Sequence, residues 1–265
     1  MTAAWMLAAA VAALCPSGAA AAAGSDDGPA RGEGPPSFLY LSGELDDLSP
    51  GGGGGSGGVL WTRGLSRRFT AEAGGFAHSL DGTRWAYARL GGTMAASDAA
   101  IVHLEANLGG GTRTGSGIPY RTFRGGLTLE LAPRRLWADL DSQYIRFAES
   151  NGNILKLGGI VAPRPSLSLR AAYYVSTGGN LGARYLATRA DLQHRRLGLF
   201  AGLSLGRSRP ELFNFFSSST TVNSTQLYGG ARVPARRHEI TAYVDSVDSG
   251  GVRRTGLAVV LKLRL

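Results

Sequence analysis

From Ser37 onward apolar and polar residues alternate with a period of two, and no window sustains the i, i+3, i+4, i+7 spacing of an amphipathic helix. Between Arg121 and Leu131, residues Phe123, Leu127, Leu129 and Leu131 share one face with Gly125, while Arg124, Thr128 and Glu130 share the other. Leu197, Leu199, Ala201, Leu203 and Leu205 alternate in the same way with Gly198, Phe200, Gly202, Ser204 and Gly206. Ile240, Ala242 and Val244 alternate with Glu239, Thr241, Tyr243 and Asp245. Successive side chains of a strand point to opposite sides, so each segment presents one apolar and one polar face. The pattern predicts an all-β chain, with strands near 37–46, 57–67, 68–79, 84–95, 98–109, 119–131, 136–146, 153–162, 167–177, 182–193, 196–206, 223–233, 238–247 and 253–265.

Such alternation also fits a soluble sandwich or a lipocalin-like barrel. Three features point to a membrane instead. The predicted strands run to about 10 to 12 residues, close to the 9 to 11 that a tilted strand needs to cross a bilayer and longer than the usual 5 to 6. Ionised residues sit in mid-strand opposite the apolar face, among them Glu105, Arg124, Asp139, Asp141, Lys156, Arg170, Arg189 and Asp191. A membrane barrel turns its apolar face to lipid and keeps charge in the lumen. Finally, Arg67-Arg68, Arg134-Arg135, Arg195-Arg196 and Arg236-Arg237 fall at predicted tight turns, with Ser97-Asp98 and Pro163-Arg164-Pro165 completing a series that recurs about every 30 to 40 residues. The longer steps hold the two longest predicted loops, Gly109 to Pro119 and Gly206 to Val222.

Short turns on one side and variable loops on the other are the layout of outer-membrane barrels, the short turns being periplasmic. The expectation is an antiparallel transmembrane β-barrel of about fourteen strands, within a range of roughly 12 to 16, with both ends in the periplasm. The glycine run Pro50 to Gly58 is expected to form a flexible external loop tip.

Composition sharpens this picture. The chain has 40 glycines in 265 residues without a collagen-like period, which favours extended segments with close backbone approach over helix. Residues 1–23 carry no charge and hold an apolar stretch, Trp5 to Leu14, followed by Ala21-Ala22-Ala23, the layout of a cleaved signal peptide. Cys15, the one cysteine, lies in that segment, so the mature chain is expected to have no disulfide. Lipidation of Cys15 is disfavoured by Leu14, since a lipobox has a small residue there. Residues 24–36 form a short periplasmic segment, too small for a globular plug, ahead of the barrel at 37–265. The formal charge of +9 suggests nucleic acid at first sight, but its excess falls in separate arginine pairs at turns, and no nucleic-acid motif accompanies it.

The last segment, Gly256 to Leu265, alternates Leu257, Val259, Leu261, Leu263 and Leu265 with Ala258, Val260, Lys262 and Arg264, and resembles the C-terminal insertion signal of outer-membrane barrels. Its terminal Leu265 departs from the usual Phe or Trp. The region from Tyr40 onward, with Tyr144-Ile145-Arg146-Phe147-Ala148-Glu149-Ser150 and Ala162-Pro163-Arg164-Pro165, resembles the YaiO-type outer-membrane barrel family. That resemblance implies a Gram-negative outer membrane, with its lipids, lipopolysaccharide and barrel-assembly machinery as partners. Related barrels suggest envelope polysaccharide export, and the family carries no residue-level activity to transfer.

No phosphate loop, dinucleotide fingerprint, zinc-ligand spacing or nucleophile elbow is present, so no catalytic residue, metal or cofactor is assigned. His103 shares a face with Glu105 and Asn107, a row able to orient an imidazole but equally a polar lumen row. His78-Ser79 matches the residue pair of outer-membrane lipid hydrolases. The lumen charges are candidates either for a solute-selecting constriction or for a salt-bridge network that fills the barrel. Phe213, Phe215 and Phe216 form an apolar cluster in an external loop and are candidates for a ligand or partner contact. Three functions stay open: a porin-like channel or export conduit, a structural or adhesion barrel acting through its loops, and a lipid hydrolase.

Overall fold

The computed structural model describes residues 36–49, 51–113, 116–147, 150–179, 181–208, 222–249 and 251–265. The expected signal segment and the Phe213 to Phe216 cluster lie outside the described residues. The described strands are β1 (Ser37–Ser49), β2 (Gly53–Gly64), β3 (Phe69–Leu80), β4 (Thr83–Ser97), β5 (Ala100–Arg113), β6 (Ser116–Ala132) and β7 (Leu136–Phe147). They continue with β8 (Ser150–Arg164), β9 (Leu167–Thr177), β10 (Arg184–His194), β11 (Leu197–Ser208), β12 (Val222–Ala235), β13 (His238–Ser249) and β14 (Val252–Arg264). Each strand pairs antiparallel with its neighbours in sequence, and β1 pairs with β14, so the sheet closes into a 14-stranded barrel with no free edge.

The arginine turns gather at one end. Arg134, Arg195 and Arg236 hold left-handed backbone there, with φ of 55°, 53° and 58°, as very short hairpin turns require of at least one residue. The two ends of the sheet meet at this same end, where Leu265 N donates to Ser37 O at 3.0 Å. The opposite end carries the connections after β1, β3, β5, β7, β9, β11 and β13. If the arginine turns are periplasmic, Cys introduced at Asn151 is labelled on whole cells by an impermeant maleimide and Cys at Arg135 is not. Labelling at Arg135 alone would invert the orientation.

Two expected loops prove to be strand. The glycine run is mostly β2, starting at Gly53, and within the second expected loop Gly109 to Arg113 belong to β5 and Ser116 to Pro119 to β6. In both places glycine signals packing rather than a turn.

The outward face is apolar. Leu127, Leu140, Leu157, Tyr173, Leu186 and Leu205 are successive register partners across β6 to β11 and form one row around the wall. Leu157 is 65% exposed and Leu140 54%, values that a side chain facing water rarely carries in a long row and that hydrocarbon accommodates. The polar residues point inward, which makes this an outer-membrane β-barrel.

Lumen-facing glycines let side chains meet across an intervening strand. Gly109 is the register partner of both Tyr87 and Tyr120, whose rings come within 4.7 Å. Gly126 stands between His103 and Asp141, and a Cβ there would lie 2.2 Å from the His103 ring and 2.1 Å from the carboxylate. Gly230 lies between Phe200 and Tyr243, and Gly256 between Asp46 and Asp245. The lumen is thus packed by large residues reaching over bare backbone, the relation that lets aromatics cover glycine in designed sheets.

Candidate functional site

Most inward positions in the middle of the strands carry ionisable or polar groups, and the register decides which of them meet. Asp141 accepts hydrogen bonds from Arg124 Nε and Nη2 at 3.1 and 3.2 Å, and Lys156 Nζ stands 2.9 Å from it. His103 Nε2 approaches the same carboxylate to 2.5 Å. Asp139 accepts from Thr128 Oγ1 at 2.7 Å and lies 3.6 Å from Lys156. Asp191 is gripped by Arg189 through Nε and Nη2 at 2.8 and 2.5 Å, with Arg170 at 3.8 Å, and the Arg189 guanidinium lies 4.4 Å over the Phe200 ring. Glu105 stands 2.9 Å from Arg89 and accepts from Asn107 at 2.6 Å.

All eight lumen residues expected from the sequence therefore lie in one band of ion pairs. The sequence reading did not single out several partners in that band. Arg89 also binds Glu72 at 2.9 Å. Arg254, 1% exposed, contacts Glu44 at 2.9 Å and also pairs with Asp46 and Asp245. This last cluster joins β13, β14 and β1, and so lies on the seam where the barrel closes. Alternation on β14 places Arg254 on the lumen side with Gly256 and Ala258, a signal that was available before the partners were known.

The half of the lumen toward the loop end is different. Leu48, Leu80, Trp85, Tyr120, Ile145 and Leu181 belong to a single apolar cluster that also includes Phe76 and Tyr87. Phe76 stacks on Tyr87 at 5.1 Å, and Tyr174 stacks on Tyr185 at 4.4 Å beside the cluster. Tyr120 is 1% exposed and Ile145 and Leu181 are 0% exposed. In a water-filled pore such lumen side chains would be wet, so this section is closed by its own side chains. Leu181 reaches it from the connection between β9 and β10, which is pinned by Ser176 N to Ala183 O at 2.8 Å and Ala183 N to Ser176 Oγ at 2.9 Å.

On the membrane side, a groove of about 620 Å³ runs over β2 to β5. Gly57, Gly75, Ala77, Ala86 and Ala88 leave it shallow, and its lining includes Phe76 and Tyr87 of the apolar cluster.

The two histidine readings change. His103 does share the lumen face with Glu105 and Asn107, but its ring is engaged by Asp141, while Asn107 binds Glu105 and Thr122. His78 and Ser79 are consecutive in β3, so they project to opposite faces, His78 buried and Ser79 exposed. The hydrolase-like pairing is therefore absent at this dipeptide. His78 instead stacks on Trp85 and Tyr87 at 4.7 and 5.6 Å. Among the described residues, no group of three His, Cys, Asp or Glu side chains is placed to hold a metal ion.

No family model matches the sequence, and a search of curated proteins finds no match. Among solved structures, the fold is similar to the CymD monoaromatic hydrocarbon channel, with a TM-score of 0.61 at 10% identity over 87% of each chain. It is also similar to the Ralstonia pickettii toluene transporter TbuX, with a TM-score of 0.57 at 12% identity over 88% of this chain and 89% of that one. A bacterial polysaccharide outer membrane secretin gives a TM-score of 0.53 at 13% identity, covering 86% of this chain and 98% of that one. At such identities the likeness is one of fold.

Proposed function

We propose that this barrel is an outer-membrane channel for small, largely apolar molecules rather than an open pore for ions. The observation that carries the reading is the outer lumen section, lined by buried aromatic and aliphatic side chains with Leu181 0% exposed. An ion entering there would lose its hydration without a compensating partner, whereas an apolar molecule exchanges one hydrocarbon surface for another. The charges below the section are engaged with one another, Asp141 alone meeting His103, Arg124 and Lys156, which suits a wall-bracing role better than ion selection. Two proteins of similar fold, a monoaromatic hydrocarbon channel and a toluene transporter, agree with this reading. Polysaccharide export, which related barrels suggest, would need a wide hydrated path that the closed outer section does not offer.

An apolar solute that passes the aromatic section meets the charged band beneath it. The small-residue groove lies on the outer side of the wall against Phe76 and Tyr87, and a sideways exit into the membrane there requires the continuous pairing of β2 with β3 or β3 with β4 to open. Ala77 and Ala88 both line the groove and are exposed, so Ala77→Trp and Ala88→Trp fill it from the lipid side. The expected result is a severalfold drop in initial uptake of labelled toluene by whole cells with unchanged barrel stability. Wild-type protein in planar bilayers is expected to show little ion conductance. A large ohmic conductance, together with no gain in toluene uptake over cells lacking the protein, would defeat the proposal.

A further inference from the structure

We infer that His78 and Thr83 form a polar contact for one hydroxyl group inside the apolar section, so that the ligands favoured are aromatic rings bearing a hydroxyl, of the phenol type. This rests on the channel reading above and names its substrate class. His78 is 4% exposed, and neither Nδ1 nor Nε2 has a hydrogen-bond partner. Thr83 is 0% exposed, and its Oγ1 is likewise without one. Buried polar atoms left unpaired cost free energy, and native interiors rarely keep them without a reason. Here three such atoms occur on two side chains of one hairpin, set in or beside an otherwise aromatic and aliphatic cluster.

The register places the pair. His78 is opposite Trp85 and Leu80 is opposite Thr83, so His78 and Thr83 are diagonal neighbours on the lumen face of β3 and β4. Diagonal neighbours stand roughly 7 to 8 Å apart at the backbone. Their side chains project from that separation onto the same face, so a single oxygen between them can stand within about 2.8 Å of a polar atom of each. A neutral imidazole offers one donor and one acceptor, and a threonine hydroxyl offers both roles. A phenolic O–H therefore donates to the free imidazole nitrogen and accepts from the Thr83 hydroxyl. The ring attached to that oxygen remains among Trp85 and Tyr87, which already stack on His78 at 4.7 and 5.6 Å.

Trp85 supplies the readout. In a Trp5→Phe, Trp61→Phe, Trp137→Phe background, its fluorescence is titrated with p-cresol and with toluene, two molecules of similar shape that differ by the hydroxyl. The expected result is about tenfold tighter binding of p-cresol, the worth of one net hydrogen bond in an apolar site. His78→Phe is expected to remove most of the p-cresol preference, to leave toluene binding in place and to raise the thermal midpoint, since an unpaired polar group has been removed. Thr83→Val, which nearly keeps the side-chain shape, is expected to remove part of the preference and serves if the phenylalanine variant does not fold. Equal binding of the two probes by the parent protein, or a p-cresol preference untouched by both variants, overturns the inference while leaving the channel reading standing. If neither probe binds, both fall together.

Discussion

Replacing Arg254 with leucine is expected to cost about 3 to 5 kcal/mol of stability, the usual penalty for removing one partner of a buried ionic group. The side chain is 1% exposed and serves three carboxylates, Glu44 and Asp46 on β1 and Asp245 on β13. Without it, three carboxyl groups would crowd one another around Gly256, whose missing side chain is what lets them converge: a Cβ there would lie 2.4 Å from Asp245 Oδ1 and 3.0 Å from Glu44 Oε1. The repulsion would act on the pairing of β1 with β14, the contact that closes the barrel. Loss of heat-modifiable gel mobility and a lowered urea midpoint are the measurements. Arg254→Lys should fall between, because an ammonium cannot present a planar fork to several carboxylates at once. Combining Arg254→Leu with Glu44→Gln, Asp46→Asn and Asp245→Asn should restore much of the loss, since the uncompensated charge is then gone. A wild-type midpoint for the single leucine variant would show that closure does not depend on this cation.

The architecture was legible in the sequence because two-residue alternation and regular arginine turns are local signals. They yield fourteen strands and the correct assignment of Leu129 and Thr128 to opposite faces, where the structure has Leu129 37% and Thr128 2% exposed. Glycine misled the reading twice, for one physical reason. Glycine has weak strand preference and is common in loops, so the run at Gly53 to Gly58 and the segment from Gly109 to Gly111 read as turns. In the folded chain Gly58 lies under the Phe76 ring, where a Cβ would come within 2.2 Å, and Gly109 and Gly111 lie against Tyr87 and Trp85. The need for bare backbone came from neighbouring strands, which a single segment does not reveal.

The candidate site divides along the same line. That Asp139, Asp141, Arg124 and Lys156 face the lumen follows from alternation within each strand. That Arg254 meets carboxylates 208 and 210 positions away follows only from closure of β1 on β14. His78 was read beside Ser79, its neighbour along the chain, whereas its contacts are Trp85 and Tyr87 across the hairpin. The apolar outer section went unseen because its members sit at strand ends and in the connection that carries Leu181. There each contributes one or two residues that are unremarkable alone.

Leu157→Arg is expected to cost about 2 to 4 kcal/mol, as a charge placed on the lipid face at mid-membrane does in outer-membrane barrels. Leu157 lies at the centre of β8, which runs from Ser150 to Arg164, and is 65% exposed on the apolar row between Leu140 and Tyr173. Val161, on the same face but four residues nearer the arginine-turn end and 45% exposed, provides the control. Arginine there has a shorter reach to the headgroups, and its long aliphatic stem stays in hydrocarbon while the guanidinium finds water. Val161→Arg should therefore cost about 0 to 1 kcal/mol. Reversible unfolding in lipid vesicles measures both variants against the parent. A protein whose outward face met water would tolerate both arginines alike, and equal midpoints for the two variants would contradict the membrane placement of this row. A large loss at Val161 with a small one at Leu157 would instead mean that the apolar belt sits closer to the arginine turns than the midpoint of β8 implies.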